Sequence, residues 1–546
     1  MKKTIYILVL AFLVSACQKF LDEPIRGVQT VDNYFTTSDE CESFLIGCYQ
    51  GMFQDDWWKI QFVYLLNETA TDDAWLSNPT QAELDYKNFS QFQMTPQNDY
   101  LYPFWEYMYK NIFQCNMALE GYADSPVKET DPDLLMRLTG EAKFIRAYCY
   151  FELAKNFREL PILTSTMTPE ELNDVGLSSQ QEVYDLIISD LLAASKVVPE
   201  GYPSTSLGRV TKGAIWAYLS KAYLYIENWK ASKLYADSVI NSGIYSLEPV
   251  FGDIWDINNR NGAESIFELQ TSYNPNYETG NSLPILSGGR EDHGWYYCAP
   301  SSHLENAYLE AGDIIRLRAT IITAYNEETA EADGVGKASV YDTDGTTVAV
   351  SSFDVSRLRD SKSMRINRKF YILPEDRMES YGHTDRNRIP KNHIFMRLGE
   401  LMLNRAEAMW HMIHTTGEAS FSEGDIINGD LHEIRNRVDL PDINSSGDQL
   451  LLDIYLERRL ELAGELKRWD DIRRSKHPND DMPLIYHIMG SGGSFVQYNT
   501  QENTDWWETQ SPYASAEPNN KGIDFSAGKE WLPIPAHDAG YLGVIH

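Results

Sequence analysis

The chain has 546 residues and a formal net charge of −33, because 80 acidic residues stand against only 47 basic ones. This excess of acid argues against nucleic acid as a partner, since phosphate backbones are bound by clustered Lys and Arg. It is typical of a solvated surface that keeps an exported protein soluble. No Pro/Gly/Ser linker divides the chain, so we predict one large domain over residues 17–546 with long insertions.

The first sixteen residues have the order of an export signal. Two lysines precede an apolar run over residues 5–14, which is too short to persist as a membrane-spanning helix. The run leads into a Val-Ser-Ala-Cys sequence ending at Cys17, which resembles the lipobox of bacterial lipoproteins. We therefore predict a lipoprotein signal peptide over 1–16 and lipidation of Cys17, whose acyl chains would hold the mature protein on a membrane.

Five further cysteines are spread through the chain. They are odd in number and stand mostly in apolar helical runs, which favours buried thiols over a disulfide framework. They are Cys41, Cys48, Cys115, Cys149 and Cys298.

The N-terminal part, residues 17–242, carries helical periodicity with helix-start signals. Ser38 resembles an N-cap with acidic residues after it, and Ser179 with Glu182 resembles a capping box. Helices are predicted from Ser38 to Met52, over 104–122, over 140–157 and from Ser179 towards Val197.

The stretch Thr211–Asn241 has the pattern of an antiparallel helical hairpin. Ala214, Ala217 and Ala222 make one helical face thin, so that a second helix can approach closely. Its length is that of a tetratricopeptide repeat. One hairpin cannot bury both of its faces, so other helices must stack on it.

Periodicity is largely lost over 243–395, where short strand-like runs alternate with turns, and we predict an irregular insertion there. Helical repeats return over 396–475, with a helix over 395–414, a partner over 426–437 and a last helix over 450–469. The segment 476–546 is predicted to be irregular. Its apolar end, Trp531–Ala536, is expected to dock on the body.

Two loops carry the residue types that bind carbohydrate. Sugar capture needs flat aromatic faces for C–H surfaces and planar donors and acceptors for hydroxyls. In the first loop the candidate ligand residues are Asp72, Asp73, Trp75, Asn78 and Tyr86; in the second they are Arg290, Asp292, Trp295 and Tyr296.

The sequence carries no catalytic motif that stands above composition. It has no Gly-x-Ser-x-Gly elbow, His-Glu-x-x-His, Cys-x-x-Cys or phosphate-binding loop. His411 and His414 share a helix face without a third ligand, and Asp342–Gly345 fits a β-turn better than a calcium loop. We therefore predict no enzyme, no catalytic residue, no metal site and no cofactor.

Six segments in a fixed order carry a family resemblance, although each alone is weak. They are the lipobox with Phe20-Leu21-Asp22, Glu141–Tyr148, the hairpin Lys212–Ile240, Arg397–Ala408, Glu457–Asp471 and Trp531–Pro535. Together they resemble the SusD/RagB family, surface lipoproteins that capture nutrients for outer-membrane transporters in Bacteroidetes. The resemblance covers essentially the whole mature chain.

The resemblance implies a mainly α fold, a tetratricopeptide-like superhelix of four repeat pairs whose irregular insertions form the ligand face. Several charged residues of these segments lie on or beside helical stripes, where buried charge must be paired. We expect them to lock helices and loops together: Arg146, Glu407, Arg459, Glu465 and Arg468.

The function expected from this resemblance is capture of an oligosaccharide or polysaccharide at the cell surface. The protein would be lipid-anchored to the outer membrane and would deliver its ligand to a SusC-like TonB-dependent transporter. The alternatives are peptide capture by a RagB-like lipoprotein, a helical-repeat scaffold without a small ligand, and a surface glycoside hydrolase.

Overall fold

The computed structural model describes residues 34–52, 59–76, 84–274, 280–288, 297–323, 337–341, 347–354, 363, 365–372, 389–418, 420–501, 521–540 and 542. Cys17, Asn78, the four candidate residues of the second loop and Asp342–Gly345 lie outside these ranges. Among the described residues, no helix is both long and apolar enough to cross a membrane.

The N-terminal part is helical, as predicted. Thr37, not Ser38, is the N-cap of the first helix, because its side chain forms a capping box with Glu40. The helix predicted over 140–157 begins earlier, where Asp131 caps a turn that starts with Pro132. The helices are α1 Ser38–Gln50, α2 Lys59–Thr69, α3 Leu84–Ser90, α4 Leu101–Asp124, α5 Pro132–Asn156, α6 Pro169–Leu172, α7 Gln180–Ala194, α8 Lys212–Tyr225 and α9 Trp229–Ile240.

The hairpin α8–α9 confirms the prediction from the sequence. Thr211 caps α8 and Asn228 caps α9, each through a side-chain oxygen that accepts a backbone N–H. Between the two helices Glu227 adopts a left-handed conformation, with φ of 58°. Ala214, Ala217 and Ala222 are fully buried, which allows the close approach of neighbouring helices.

The insertion over 243–395 is less irregular than predicted. It contains two successive helices whose N-caps, Ser301 and Asp313, both accept backbone N–H groups. Its helices are α10 Leu283–Ser287, α11 Ser302–Ala311 and α12 Ile314–Thr320.

The strands form small antiparallel sheets. They are β1 Ala74–Trp75, β2 Ser265–Leu269, β3 Ala299–Pro300, β4 Ile321–Thr323, β5 Lys337–Tyr341, β6 Thr347–Asp354, β7 Arg365–Asn367 and β8 His393–Arg397. β1 pairs with β3, β2 pairs with β8, and the other four make a sheet in the order β6-β5-β4-β7.

Two predictions for the C-terminal repeats are wrong in detail. The helix predicted from Phe395 begins only at Leu398, because the preceding residues form β8. The helix predicted over 450–469 ends at Leu462, since Gly464 and Leu466 take φ of 78° and 60° and turn the chain. The helices are α13 Leu398–His411, α14 Glu423–Ile426, α15 His432–Asn436, α16 Asp448–Leu462, α17 Arg468–Arg474, α18 Ile485–Ile488, α19 Ser494–Gln501 and α20 Ala536–Ala539.

The helices stack one on the next, which confirms the predicted helical-repeat fold. Helix α4 packs on α5, α5 on α7, α7 on α8, α8 on α9, α9 on α13 and α13 on α16. Helices α9 and α13 precede and follow the insertion in sequence, so their contact makes the stack of helices continuous. The apolar end docks as predicted, since Leu532 is buried and its N–H donates to the Asn156 carbonyl at 2.9 Å.

Candidate functional site

A segment of the first candidate loop pairs with the segment that follows the second loop. In the pairing of β1 with β3, Ala74 lies opposite Pro300 and Trp75 opposite Ala299. Ser301 extends the contact: its N–H donates to the Asp73 carbonyl at 2.8 Å and its hydroxyl to the Asp72 carbonyl at 2.7 Å. Two regions more than 200 residues apart in sequence, Asp72–Trp75 and Ala299–Ser301, are therefore paired. We call this paired region the base of the loops.

Asp72 and Asp73 are buried at this base and face two arginines. Arg468 donates to both oxygens of Asp72, at 2.9 and 3.0 Å, and Arg459 lies 2.6 Å from Asp73. Burial opposes ionisation of Asp72, but the two guanidinium groups outweigh it and hold its pKa below the ordinary value. The pKa of Asp73 is raised by burial, against the pull of Arg459.

Trp75 is 2% exposed and belongs to the core of the C-terminal repeats. Its ring centroid lies 5.7 Å from that of Phe495, and the Lys521 ammonium lies 4.6 Å from the indole. The Lys521 ammonium also donates to the Ala74 carbonyl. Trp75 and the two aspartates thus anchor the loop at its base.

Tyr86 lies beside the second loop. Its ring centroid is 5.5 Å from that of Tyr297 and 4.7 Å from that of Tyr100, whose hydroxyl donates to the Tyr86 hydroxyl. Tyr297 is the first described residue after the second loop. The structure therefore joins a predicted ligand residue of the first loop to the end of the second.

A pocket of about 320 Å³ opens next to the anchored base. Arg459 forms part of its wall and donates to Nδ1 of His303 at 2.9 Å. Asn306 donates to the Tyr498 hydroxyl at 3.0 Å, and that hydroxyl donates to Ser302 at 2.8 Å.

Burial, and then the cation of Arg459, lower the pKa of His303 to about 3, so its ring is neutral at physiological pH. Beside this neutral imidazole the pocket wall carries the amide of Asn306 and the phenol of Tyr498. Both groups can donate hydrogen bonds to uncharged hydroxyls and accept them. Asn306 and Tyr498 were not among the residues predicted from the sequence, because neither stands in a recognisable motif.

A larger cleft of about 760 Å³ lies elsewhere, between α1, the segment around Arg209 and β2. Two of its aromatic residues, Phe267 and Phe395, are 5% and 4% exposed and stack on each other. The third, Tyr49, is partly exposed and donates its hydroxyl to Glu141. Arg209 is committed to Glu141 at 3.0 Å. Volume alone favours this cleft, but none of the described candidate residues of the two loops lines it, so we assign the candidate site to the paired loops.

The charged residues expected to lock the scaffold do so. Arg146 of α5 forms two hydrogen bonds with Asp190 of α7, at 2.7 and 2.9 Å. Glu407 of α13 pairs with Arg474 of α17, and Glu465 pairs with Arg397. Arg459 and Arg468 hold the first loop, as described above.

His411, the last residue of α13, and His414, in the helical turn that follows it, both have internal partners. His411 stacks on Trp229 with ring centroids 3.9 Å apart. His414 lies 2.7 Å from a Glu423 oxygen. These contacts give both rings a structural role.

Two family models match the chain. One, described as "Starch-binding associating with outer membrane", matches residues 19–224. The other, described as "SusD family", matches residues 252–539, more than half of the chain.

Curated relatives match over most of their length. SusD-like protein P2 of Formosa agariphila is 24% identical and aligns with 92% of this chain and 95% of its own. A SusD-like protein of Bacteroides ovatus is 23% identical, with 86% and 82% covered. These relatives span both halves of the chain.

Solved structures have the same fold. A "Laminarin binding SusD-like protein" superposes with a TM-score of 0.68 at 23% identity, over 92% of this chain and 97% of that one. Surface glycan-binding protein A from Bacteroides uniformis gives 0.67 at 19% identity, over 93% and 99%. Both of these proteins are named for binding and not for catalysis. Because the matching family model covers more than half of it, the chain belongs to the SusD family.

Proposed function

We propose that this protein is a surface lipoprotein that captures an oligosaccharide or polysaccharide at the paired loops and delivers it to a SusC-like transporter. The observation that carries the proposal is the pairing of β1 with β3, which unites the two loops with sugar-binding composition. Family membership supports it, as do the names of the laminarin-binding and glycan-binding proteins of the same fold.

The chemistry of the described residues suits an uncharged glycan. Tyr86 and Tyr297 supply aromatic surface, and the neighbouring pocket supplies the amide of Asn306 and the neutral imidazole of His303. The candidate residues beyond the anchored base, Asn78 and those of the second loop, would complete the contacts. Asp72, Asp73 and Trp75 would hold the loop in its binding conformation.

Calorimetric titration of residues 18–546 tests this proposal directly. The panel contains laminarin, other polysaccharides, oligosaccharides and peptides, and product analysis runs beside it. We expect saturable heat with one glycan and no cleavage. Heat with peptides alone would replace glycan capture by peptide capture, and released reducing ends would indicate a hydrolase.

Matched variants locate the site. Tyr86→Ala and Asn306→Ala should each weaken glycan binding, by about 1–3 kcal/mol for a lost stacking or hydrogen-bonding group. Gln270→Ala, in the larger cleft, should leave the affinity unchanged. Loss of binding in Gln270→Ala, with the other two unaffected, would move the site to that cleft.

The anchor and the transporter need separate tests. Cys17→Ala should shift the protein from the membrane pellet to the soluble fraction, because the acylated residue is gone. Unchanged sedimentation of Cys17→Ala would contradict lipid anchoring.

A SusC-like barrel should copurify with the anchored protein, whose body would act as a hinged lid over the barrel. Absence of a copurifying barrel would contradict this partnership.

A further inference from the structure

Two histidines and an aspartate come together where the turn that follows α17 meets α18. His477, Asp480 and His487 each offer one ligand atom, and these three atoms all lie within 4.8 Å of one another. The ring centroids of the two histidines are 4.2 Å apart, and His487 Nε2 lies 3.2 Å from an Asp480 oxygen. Two imidazoles and one carboxylate are a ligand set that divalent transition metals favour.

His477 and Asp480 lie in a short hairpin that is closed by backbone hydrogen bonds. The His477 N–H donates to the Met482 carbonyl at 2.8 Å, and the Asp481 N–H donates to the His477 carbonyl at 2.9 Å. The Met482 N–H donates to the Asp480 carboxylate at 3.1 Å, which fixes that side chain across the turn. Asp481 supplies the left-handed residue of the turn, with φ of 59°.

The third side chain comes from a segment that is held by the core. His487 lies in α18, whose residues Ile485 and Ile488 are buried in the core of the C-terminal repeats. Lys476, at the start of the hairpin, pairs with Glu227 in the α8–α9 turn at 2.6 Å. The cluster is therefore built on two anchored segments, with Asp480 and His487 accessible to solvent.

We propose that His477, Asp480 and His487 bind a divalent transition-metal ion, with Zn²⁺ as the best match and water completing its coordination. Nitrogen ligands favour Zn²⁺ over Ca²⁺ and Mg²⁺, which prefer oxygen-rich sites. Binding costs hydrogen bonds: the Asn479 N–H donates to His477 Nδ1 at 3.2 Å, and this bond is given up when the ring ligates the ion. The contact of His487 Nε2 with Asp480 is likewise replaced if both atoms bind the ion. The ion would fasten the hairpin to α18.

The test uses untagged, EDTA-treated protein of residues 18–546, titrated with ZnCl₂ in a calorimeter. We expect one saturable site and a rise in melting temperature with Zn²⁺, because the ion binds the folded chain. Both effects should be lost in the double variant His477→Ala/His487→Ala. Co²⁺ should give the visible absorption of a nitrogen-ligated site in wild type and not in that variant.

His432→Ala is the matched control. His432 and Asp442 form an exposed pair at 2.7 Å, so this variant removes a similar histidine from the surface. We expect it to keep wild-type Zn²⁺ affinity, whereas His487→Ala should weaken affinity by at least about ten-fold. Absence of saturable Zn²⁺ binding in wild type, or equal binding in the double variant, would overturn the proposal.

Discussion

Glu68 is a buried carboxylate next to the base of the first loop, and its environment disfavours its charged form. Burial, and then the nearby carboxylate of Asp73, raise its pKa well above the ordinary value of 4.5. The folded protein therefore keeps a proton that the unfolded chain loses. The free energy of unfolding falls as the pH rises from 4.5 through the folded pKa.

We expect Glu68→Gln to remove this dependence. Its melting temperature should exceed that of wild type at about pH 8, and the gain should shrink towards about pH 4. Thermal circular dichroism across this pH range measures the effect. Parallel melting curves for variant and wild type at every pH would contradict it.

Glu182→Gln is a control with the opposite sign. The Ser179 N–H and hydroxyl lower the pKa of Glu182, so its contribution to stability is present above 4.5 and lost as the pH falls through the folded pKa. This variant should lose stability at neutral pH and match wild type in acid.

Trp75 links the loop base to the core, and its replacement tests both roles. We expect Trp75→Ala to abolish glycan binding while helical circular dichroism stays unchanged. Because the indole is buried, the variant should also lose about 3–5 kcal/mol of stability. Trp216→Ala, on α8, is the control and should keep wild-type affinity for the glycan.

We also expect Trp295→Ala, in the second loop, to abolish glycan binding. Unaltered affinity in both Trp75→Ala and Trp295→Ala would move the site elsewhere.

The candidate ligand residues of the first loop could be selected from the composition of the sequence. The residues that surround them in the structure could not be predicted in the same way. The density of Asp and Trp near residue 75 identified the loop. Nothing in that stretch indicates that Arg459 and Phe495, about 400 residues later, enclose it. Sequence spacing reports neighbours along one helix or strand, whereas the partners of these side chains are set by tertiary packing.

At the scale of elements, buried ion pairs join neighbouring helices. Arg146 and Asp190 link α5 to α7 through two hydrogen bonds, and Arg146 is 6% exposed. Removing the Arg146 guanidinium leaves the buried Asp190 carboxylate with only the partly exposed Lys143 ammonium, 3.5 Å away. We expect Arg146→Met to lower the free energy of unfolding by about 3–5 kcal/mol in urea denaturation.

Lys230→Met is the matched control for that variant. The pair of Lys230 and Glu418 lies at 3.4 Å with side chains 76% and 57% exposed. Solvent screens such a pair, so its loss should cost less than about 1 kcal/mol. Equal losses in the two variants would show that burial does not set the strength of these links.

Elements with strong local signals were the predictable ones. The α8–α9 hairpin followed from its small residues and caps, and the capping box at Ser179 marked the start of α7. The break after Leu462 was missed because Leu, Glu and Lys around Gly464 are good helix formers. There the close approach of Asn367 to Gly464 decides the chain direction.

For the whole molecule, a buried charge network joins the insertion to the C-terminal repeats. Arg397 contacts Glu264 from the insertion and Glu461 from α16, each at 2.7 Å. These side chains are at most 1% exposed. Separating the two parts would strand several charges in the protein interior.

We therefore predict that residues 17–546 unfold as a single domain. Differential scanning calorimetry of residues 18–546 should give one transition whose calorimetric and van't Hoff enthalpies agree. Two resolved transitions would divide the chain into independent units.

The five cysteines of the described part of the chain are all free and buried. Burial raises the thiol pKa of Cys115, Cys149 and Cys298, which keeps these sulfurs protonated and slow to react. A maleimide dye would then reach a newly introduced surface thiol well before any of them. Leu309→Cys, at a position 50% exposed beside the pocket residue Glu310, would place a fluorophore where its emission reports ligand arrival in real time.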